Sequence, residues 1–295
     1  MNADKAFGIL RRLYHIQPMT HKHFERQITI QDLKTSAVDL LSDATDLSKS
    51  VIKQTMQKGA VWITRINHTQ RLRRAKKQLQ IGDQVYLYYD EKILNQTTEP
   101  AQLIADEQAY SIWFKPYGMR SQGSKWGDHT TIQRWADTHL HPQRPTFTVH
   151  RLDRAATGLI LLAHKKQTAT ALAKLFETRT IAKKYRVVVH GQFFNTPQTY
   201  TQSIDDRPAH SQATRLNYNP MQNRSLVDVT IQTGRKHQIR RHLADAGYPV
   251  VGDRLYGSTD HTKNLQLTAY SLAFQCPATL EAKTYQLPED ALPTL

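Results

Sequence analysis

In the stretch VHRLDRAATGLILLA, Val149 to Ala163, an acid flanked by two arginines is followed almost at once by an unbroken apolar run, Leu159 to Ala163. That run constrains the fold more than any other feature of the chain. An apolar segment of strand length with no polar side to offer water reads as a buried, interior strand. The charged loop ahead of it is short and ends at Gly158, so it holds the Asp153 side chain at a fixed place beside a cleft.

The segments around this strand extend the same pattern. Ala169, Leu172, Ala173 and Phe176 recur at helical spacing and predict a helix directly after it. YSIWFKPYGMRSQG, from Tyr110, begins as a strand and ends in a Lys-Pro-Tyr-Gly turn, while KKYRVVVHG and SLVDVTIQTG alternate as strands, each closed by glycine. RKHQIRRHLADAG predicts a helix from Arg235, with Ile239, Leu243 and Ala246 on one face and Gly247 at its C-terminal cap. With strands outnumbering helices, residues 109–295 read as an α+β domain built on a mixed, largely antiparallel sheet with flanking helices.

Upstream the chain changes character. LSKSVIKQTMQKGAVWITRIN gives a helix with a Ser48 cap, an apolar face of Val51, Ile52, Thr55 and Met56, and a stop at Gly59; a strand in AVWITRI follows. LQIGDQVYLYYD supplies another strand after the Gly82-Asp83 turn. Between the strands RLRRAKK, Arg71 to Lys77, is a dense cationic run, which taken alone is an ordinary solvated loop. We place a small α/β module at 35–92, an N-terminal extension at 1–34 and a linker of mixed polarity at 93–108.

Charge identifies the class of partner. Forty Lys and Arg against 25 Asp and Glu leave a net charge of +15. Such a surface attracts polyanions, and nucleic acid is the first candidate; acidic residues serve mere solubility as well or better. No apolar run approaches a spanning helix and the N-terminus lacks a signal peptide's apolar centre, so no membrane partner is expected. Cys276 is the single cysteine, which excludes an internal disulfide and fits a reducing cytoplasm. No phosphate-cradling or dinucleotide-binding glycine motif opens a helix, and the His21/His23 pair in a polar segment makes a poor metal site, so neither a nucleotide cofactor nor a metal is expected.

Two groups of residues carry chemistry. Arg235 and Lys236, placed in the first turn of their helix, sit at a positive dipole end and call for an anion such as phosphate; Arg240 follows on much the same side. A plain surface helix is the bland alternative. For Asp153 the bland alternative is a structural ion pair with Arg151 or Arg154. The surrounding cations favour its ionised form, which makes it a poor general acid and leaves it as a nucleophile, an electrostatic partner of an electron-poor sugar carbon, or a weak base.

HRLDRAATG, KKYRVVVHG, TGRKHQIRRHLADAGYPVVGDRLYG and LQLTAYSLAFQCP together resemble, in order and spacing, the RluA-type RNA pseudouridine synthases, over Tyr110 to about Pro277. The module before them resembles the S4 RNA-binding module, in which a helical pair and a basic loop grip structured RNA; Arg71, Arg73, Arg74, Lys76 and Lys77 would form that loop. The resemblance implies isomerisation of uridine in ribosomal or transfer RNA without any cofactor. It makes Asp153 the aspartate acting at the sugar C1′ and Tyr185 the ring that stacks on the flipped base. Arg240 becomes the arginine orienting the aspartate, and Leu267 the apolar lining of the uracil pocket. Arg151, Arg154, Arg235, Lys236 and His237 supply a cationic surround for the displaced backbone, with His150 and His237 read as hydrogen-bonding or RNA-contacting residues.

Two departures from the family pattern stand out: Ala156-Thr157-Gly158 where Thr-Ser-Gly is common, and Thr268 where a histidine is frequent. They bear on loop geometry and target choice. Two other functions stay open at this level, an RNA-binding or ribosome-associated protein that has lost the chemistry, and an RNA N-glycoside hydrolase. A monomer is expected.

Overall fold

Alternation in QVYLYYD and its neighbours is realised as a small twisted sheet. The computed structural model describes residues 22–32, 35–257 and 262–295. Strand β1 (His23–Thr29) is followed by helices α1 (Ala37–Asp43) and α2 (Lys49–Gln57), then by β2 (Val61–Arg65), β3 (His68–Arg71), β4 (Gln84–Asp90) and the short helix α3 (Glu91–Leu94). The strands are ordered β1-β4-β2-β3, all antiparallel. Ser36 and Ser48 cap the two helices, each accepting a backbone N–H of the first turn (from Asp39 at 3.2 Å and from Val51 at 3.4 Å). Ile52 and Met56 of α2 pack with Val61, Ile63, Val85 and Leu87 into a core of the module's own.

Two expectations about boundaries change here. Residues 23–29, placed in an N-terminal extension, form a full edge strand of the small sheet in register with β4, and Ile30 is buried in its core; the pattern is poorly apolar because only Phe24 and Ile28 of the strand pack against that core. His21 and residues 1–20 lie outside the described residues. The linker 93–108 likewise contains β5 (Gln102–Asp106), which pairs with the larger, second sheet.

That sheet continues with β6 (Tyr110–Lys115), α4 (Ile132–His139), β7 (Phe147–Thr148), β8 (Thr157–Ala163), α5 (Lys166–Glu177) and β9 (Ala182–His190). It is completed by β10 (Gln198–Tyr200), β11 (Ser211–Asn219), β12 (Arg224–Ile231), α6 (Gln238–Asp245), β13 (Leu267–Gln275) and β14 (Ala282–Gln286). The strand order is β10-β11-β12-β9-β13-β8-β6-β5, with β14 and β7 added beside β13 and β8. Every pairing is antiparallel except β8 with β13. The fold is α+β, as the order of segments predicts.

The unbroken apolar run of β8 has a structural reason. Ile160 and Leu162 enter one core with Ile132 of α4 and Ile239 and Leu243 of α6, whereas Leu159, Leu161 and Ala163 enter another with Leu172 of α5. A strand with a core on each side cannot alternate with polar residues. The parallel contact of β8 with β13 is confined to Thr157 and Gly158 opposite Thr268 and Ala269, and the two threonine hydroxyls hydrogen-bond at 2.7 Å. Gly158, at φ 111°, lies so close to β13 that a Cβ would overlap the Ala269 backbone. This pins the end of the Asp153 loop to the centre of the sheet.

Candidate active site

The loop is fixed from below before Asp153 is reached. Lys115, fully buried at the end of β6, donates from Nζ to the carbonyls of Ala156 (2.6 Å), Met119 (2.9 Å) and Pro116 (3.1 Å). Burial pulls its ammonium down to about 7, opposed by the negative charge of Asp153. Ser121 Oγ donates to the Leu152 carbonyl at 2.8 Å and accepts the Leu152 N–H at 3.0 Å. Neither Lys115 nor Ser121 was picked out from the sequence; the signal available for the first was a lysine closing an otherwise apolar strand.

The carboxylate so held is 24% exposed and faces the Arg240 guanidinium, with Nη1 at 3.5 Å, and the His237 imidazole, with Nε2 at 3.8 Å. Among the described residues its ion partner is Arg240, rather than the neighbouring Arg151 or Arg154 of the bland alternative. Arg240 has little freedom of aim. Its Nε and Nη2 donate to the fully buried carboxylate of Asp253 at 2.7 and 2.6 Å, which leaves Nη1 for Asp153. Burial would lower the guanidinium's affinity for its proton, but Asp253 and then Asp153 outweigh it and raise the pKa. Asp253 in turn accepts the N–H groups of Leu255 (2.9 Å) and Tyr256 (3.1 Å). It was not singled out from the sequence.

The helix carrying Arg240 begins later than its composition implies. Residues Gln238–Asp245 are helical and His237 precedes them with φ 55°, a left-handed conformation that is costly for a side chain with a Cβ. Arg235 and Lys236 therefore lie ahead of the first turn, and the conflict with the helix dipole does not arise. The bend sets the His237 ring between Asp153 and the Tyr256 hydroxyl, which is 3.0 Å from Nδ1. Burial lowers the His237 pKa and Asp153 opposes that.

Asp153 stands between two cavities. The larger, of about 540 Å³, is also lined by Tyr185, Arg151, Arg235 and Lys236; the smaller, of about 190 Å³, by Arg154, His237 and Arg240. Tyr185 is 8% exposed, and burial, with the charge of Asp153, pushes its hydroxyl well above the ordinary phenol value, so the ring is neutral. Leu267, expected on the pocket wall, lines neither cavity; it is packed in the apolar cluster that contains Tyr185. His150 lies on the cavity wall, but its Nε2 accepts the Leu161 N–H at 2.9 Å and its ring stacks on Phe176, so it serves as a structural acceptor.

The cationic run of the small module divides. Arg71 pairs with Asp128 at 3.0 Å, donates to the Ser124 carbonyl at 3.0 Å and lies over the Trp62 ring. Arg73 pairs with the same carboxylate and with the Gln57 carbonyl. These two arginines tie the module to the loop after β6 and are not free for RNA as the sequence reading has them. Arg74 and Lys76 are exposed and Lys77 is half-buried.

Comparison with known proteins agrees with this architecture. Residues 109–245 match the family model described as RNA pseudouridylate synthase. The chain is 27% identical over 278 residues to an uncharacterized RNA pseudouridine synthase of Aquifex aeolicus, covering 83% of this chain and 86% of that protein. It is 32% identical over 177 residues to one of Synechocystis, covering 54% and 60%. To the tRNA pseudouridine synthase C of Pectobacterium carotovorum it is 30% identical over 144 residues, covering 41% and 38%. Among solved structures, human RNA pseudouridylate synthase domain containing 1 superimposes with a TM-score of 0.57 at 20% identity, over 67% of this chain and 87% of that one, which bears on the fold.

Proposed function

We propose that the chain, whose residues 109–245 form a region of the RNA pseudouridylate synthase family, isomerises particular uridines of structured RNA, ribosomal or transfer, to pseudouridine. The observation that carries the reading is the Asp153 carboxylate at a cavity mouth, held between Arg240 and His237 and sharing that cavity with a buried, neutral Tyr185. A target base leaves its stack to reach such a site, and an aromatic wall receives it. Asp153 then acts at C1′ while the N1 to C1′ bond breaks, the uracil turns over and C5 bonds to C1′; C5 gives up its proton and N1 takes one up, so that the product is an isomer of the substrate. Arg240, clamped by Asp253, keeps the carboxylate aimed. Arg151, Arg154, Arg235 and Lys236 offset backbone charge as the nucleotide is displaced.

The N-terminal module is proposed to add S4-like RNA contacts through Arg74, Lys76 and Lys77, which follow two capped helices in the chain. Nucleoside analysis of RNA incubated with the protein tests the reading. Pseudouridine is expected with the wild type, and Asp153→Asn should lower its formation by at least about 10³-fold while leaving RNA affinity within about threefold. Free uracil in place of pseudouridine would mean hydrolysis, and substantial turnover by a folded Asp153→Asn protein would remove the aspartate from the chemistry.

A further inference from the structure

The larger cavity holds two cations that neither the sequence reading nor the aspartate's own partners account for. Lys183, two residues before Tyr185 on β9, is 7% exposed and lines that cavity. Among the described residues its side chain has no carboxylate partner and no hydrogen bond; what surrounds its Nζ is the face of Phe176, 5.7 Å from the ring centre, the like charge of Arg179 and the His150 imidazole, whose own pKa its charge helps to lower. Burying an ammonium without an acid is costly, and a second cation beside it raises the cost. Burial and then Arg179 accordingly pull the Lys183 pKa down.

Arg179 is itself unusually placed. It follows the C-terminal end of α5 at φ 61°, where Thr180 N–H closes back on the Leu175 carbonyl at 3.0 Å, a position that favours glycine. An arginine there accepts backbone strain and joins the wall of the same cavity. Together with Arg151, Arg235 and Lys236, these two residues give the lining five cations against Asp153 and Glu177, and Asp153 is already engaged by Arg240 and His237. What is missing from this charge balance is an anion.

We propose that Lys183 and Arg179 form a phosphate subsite of the cavity, holding a backbone phosphate of the nucleotide whose base reaches Tyr185. This rests on the RNA-isomerase reading above. The phosphate on the 5′ side and that on the 3′ side share the same chemistry, and the experiment separates them.

Binding of uridine, uridine 5′-monophosphate and uridine 3′-monophosphate to the full chain is measured by calorimetry at low salt, for wild type, Lys183→Met and Arg179→Ala. One monophosphate should bind the wild type about tenfold more tightly than uridine, a gap that Lys183→Met closes to about threefold or less and Arg179→Ala narrows. Lys183→Met keeps the apolar stem and removes the buried charge, so its ligand-free Tm should equal or exceed that of the wild type. A lower Tm with an unaltered phosphate preference would make Lys183 a structural residue. Failure of the wild type to prefer either monophosphate would overturn the subsite outright. Loss of the preference in Lys183→Met from a protein that forms no pseudouridine would keep the subsite and reject the reaction, whereas pseudouridine formation without any phosphate preference would do the reverse.

Discussion

At the scale of single residues the site is organised around groups whose charge is fixed by what surrounds them. His150 is the sharpest case, because burial lowers its pKa from 6.5 to about 3. In the unfolded chain the imidazole protonates as pH falls below 6.5, while in the folded protein it stays neutral and keeps accepting the Leu161 N–H. Its effect on stability is therefore absent above 6.5, and stability is lost progressively as pH falls from there towards 3, by up to about 1.4 kcal/mol per unit. His150→Gln, which retains an acceptor but does not titrate, should show a shallower decline in urea-measured stability between pH 6.5 and about 4 than the wild type. Parallel declines would mean that the imidazole takes up its proton in the folded state as well. Motif and spacing allow this histidine to be structural or RNA-contacting, and only the hydrogen bond from Leu161 separates the two.

Among the elements, the contact between β8 and β13 matters most to function, since it closes the sheet directly behind the Asp153 loop. Gly158→Ala would place a methyl group against the Ala269 backbone at a positive φ, and neither strand can retreat without disturbing its core. We expect a loss of at least about 2 kcal/mol in chemical denaturation, together with lower turnover as the loop shifts. A variant of unchanged stability would mean that the two strands have room to separate. The apolar run of β8 was legible from its residues because burial in two cores leaves a plain compositional mark. β1 and β5 were not, because these edge strands leave most of their residues exposed and bury none fully, so they carry no apolar pattern. The start of α6 was also misplaced by composition, as nothing local announces that His237 takes a left-handed bend to face Asp153.

For the whole molecule, the net charge of +15 serves two ends. Some cations hold the protein together: Asp128 receives both Arg71 and Arg73, and Trp62 Nε1 donates to the Lys125 carbonyl across the same junction at 3.0 Å. Others are open to a polyanion. Alanine at Arg74, Lys76 or Lys77 should weaken RNA binding and reduce the slope of log K against log salt by about 0.7 to 0.9 for each phosphate no longer neutralised, leaving stability within about 0.5 kcal/mol. Alanine at Arg71 or Arg73 should instead destabilise the protein, since it leaves the half-buried Asp128 short of a partner. Binding measured from low to moderate salt, with urea unfolding in parallel, distinguishes the two groups, and an unchanged slope in the first would remove the module's proposed RNA role.

What the residues determined by themselves was the class of fold, the strong positive charge and the short charged loop at Asp153; Tyr185 and Arg240 were singled out as site residues by the resemblance to a family. Composition and periodicity are carried along a single stretch of chain. Tertiary structure decided which cations reach Asp153, which are consumed by Asp128, and that Lys115, Asp253 and Lys183 surround the site. The physical reason is that an ion pair or a buried charge is set by distance and dielectric, and residues such as Asp153 and Arg240 acquire their 3.5 Å separation only when the strands between them have paired.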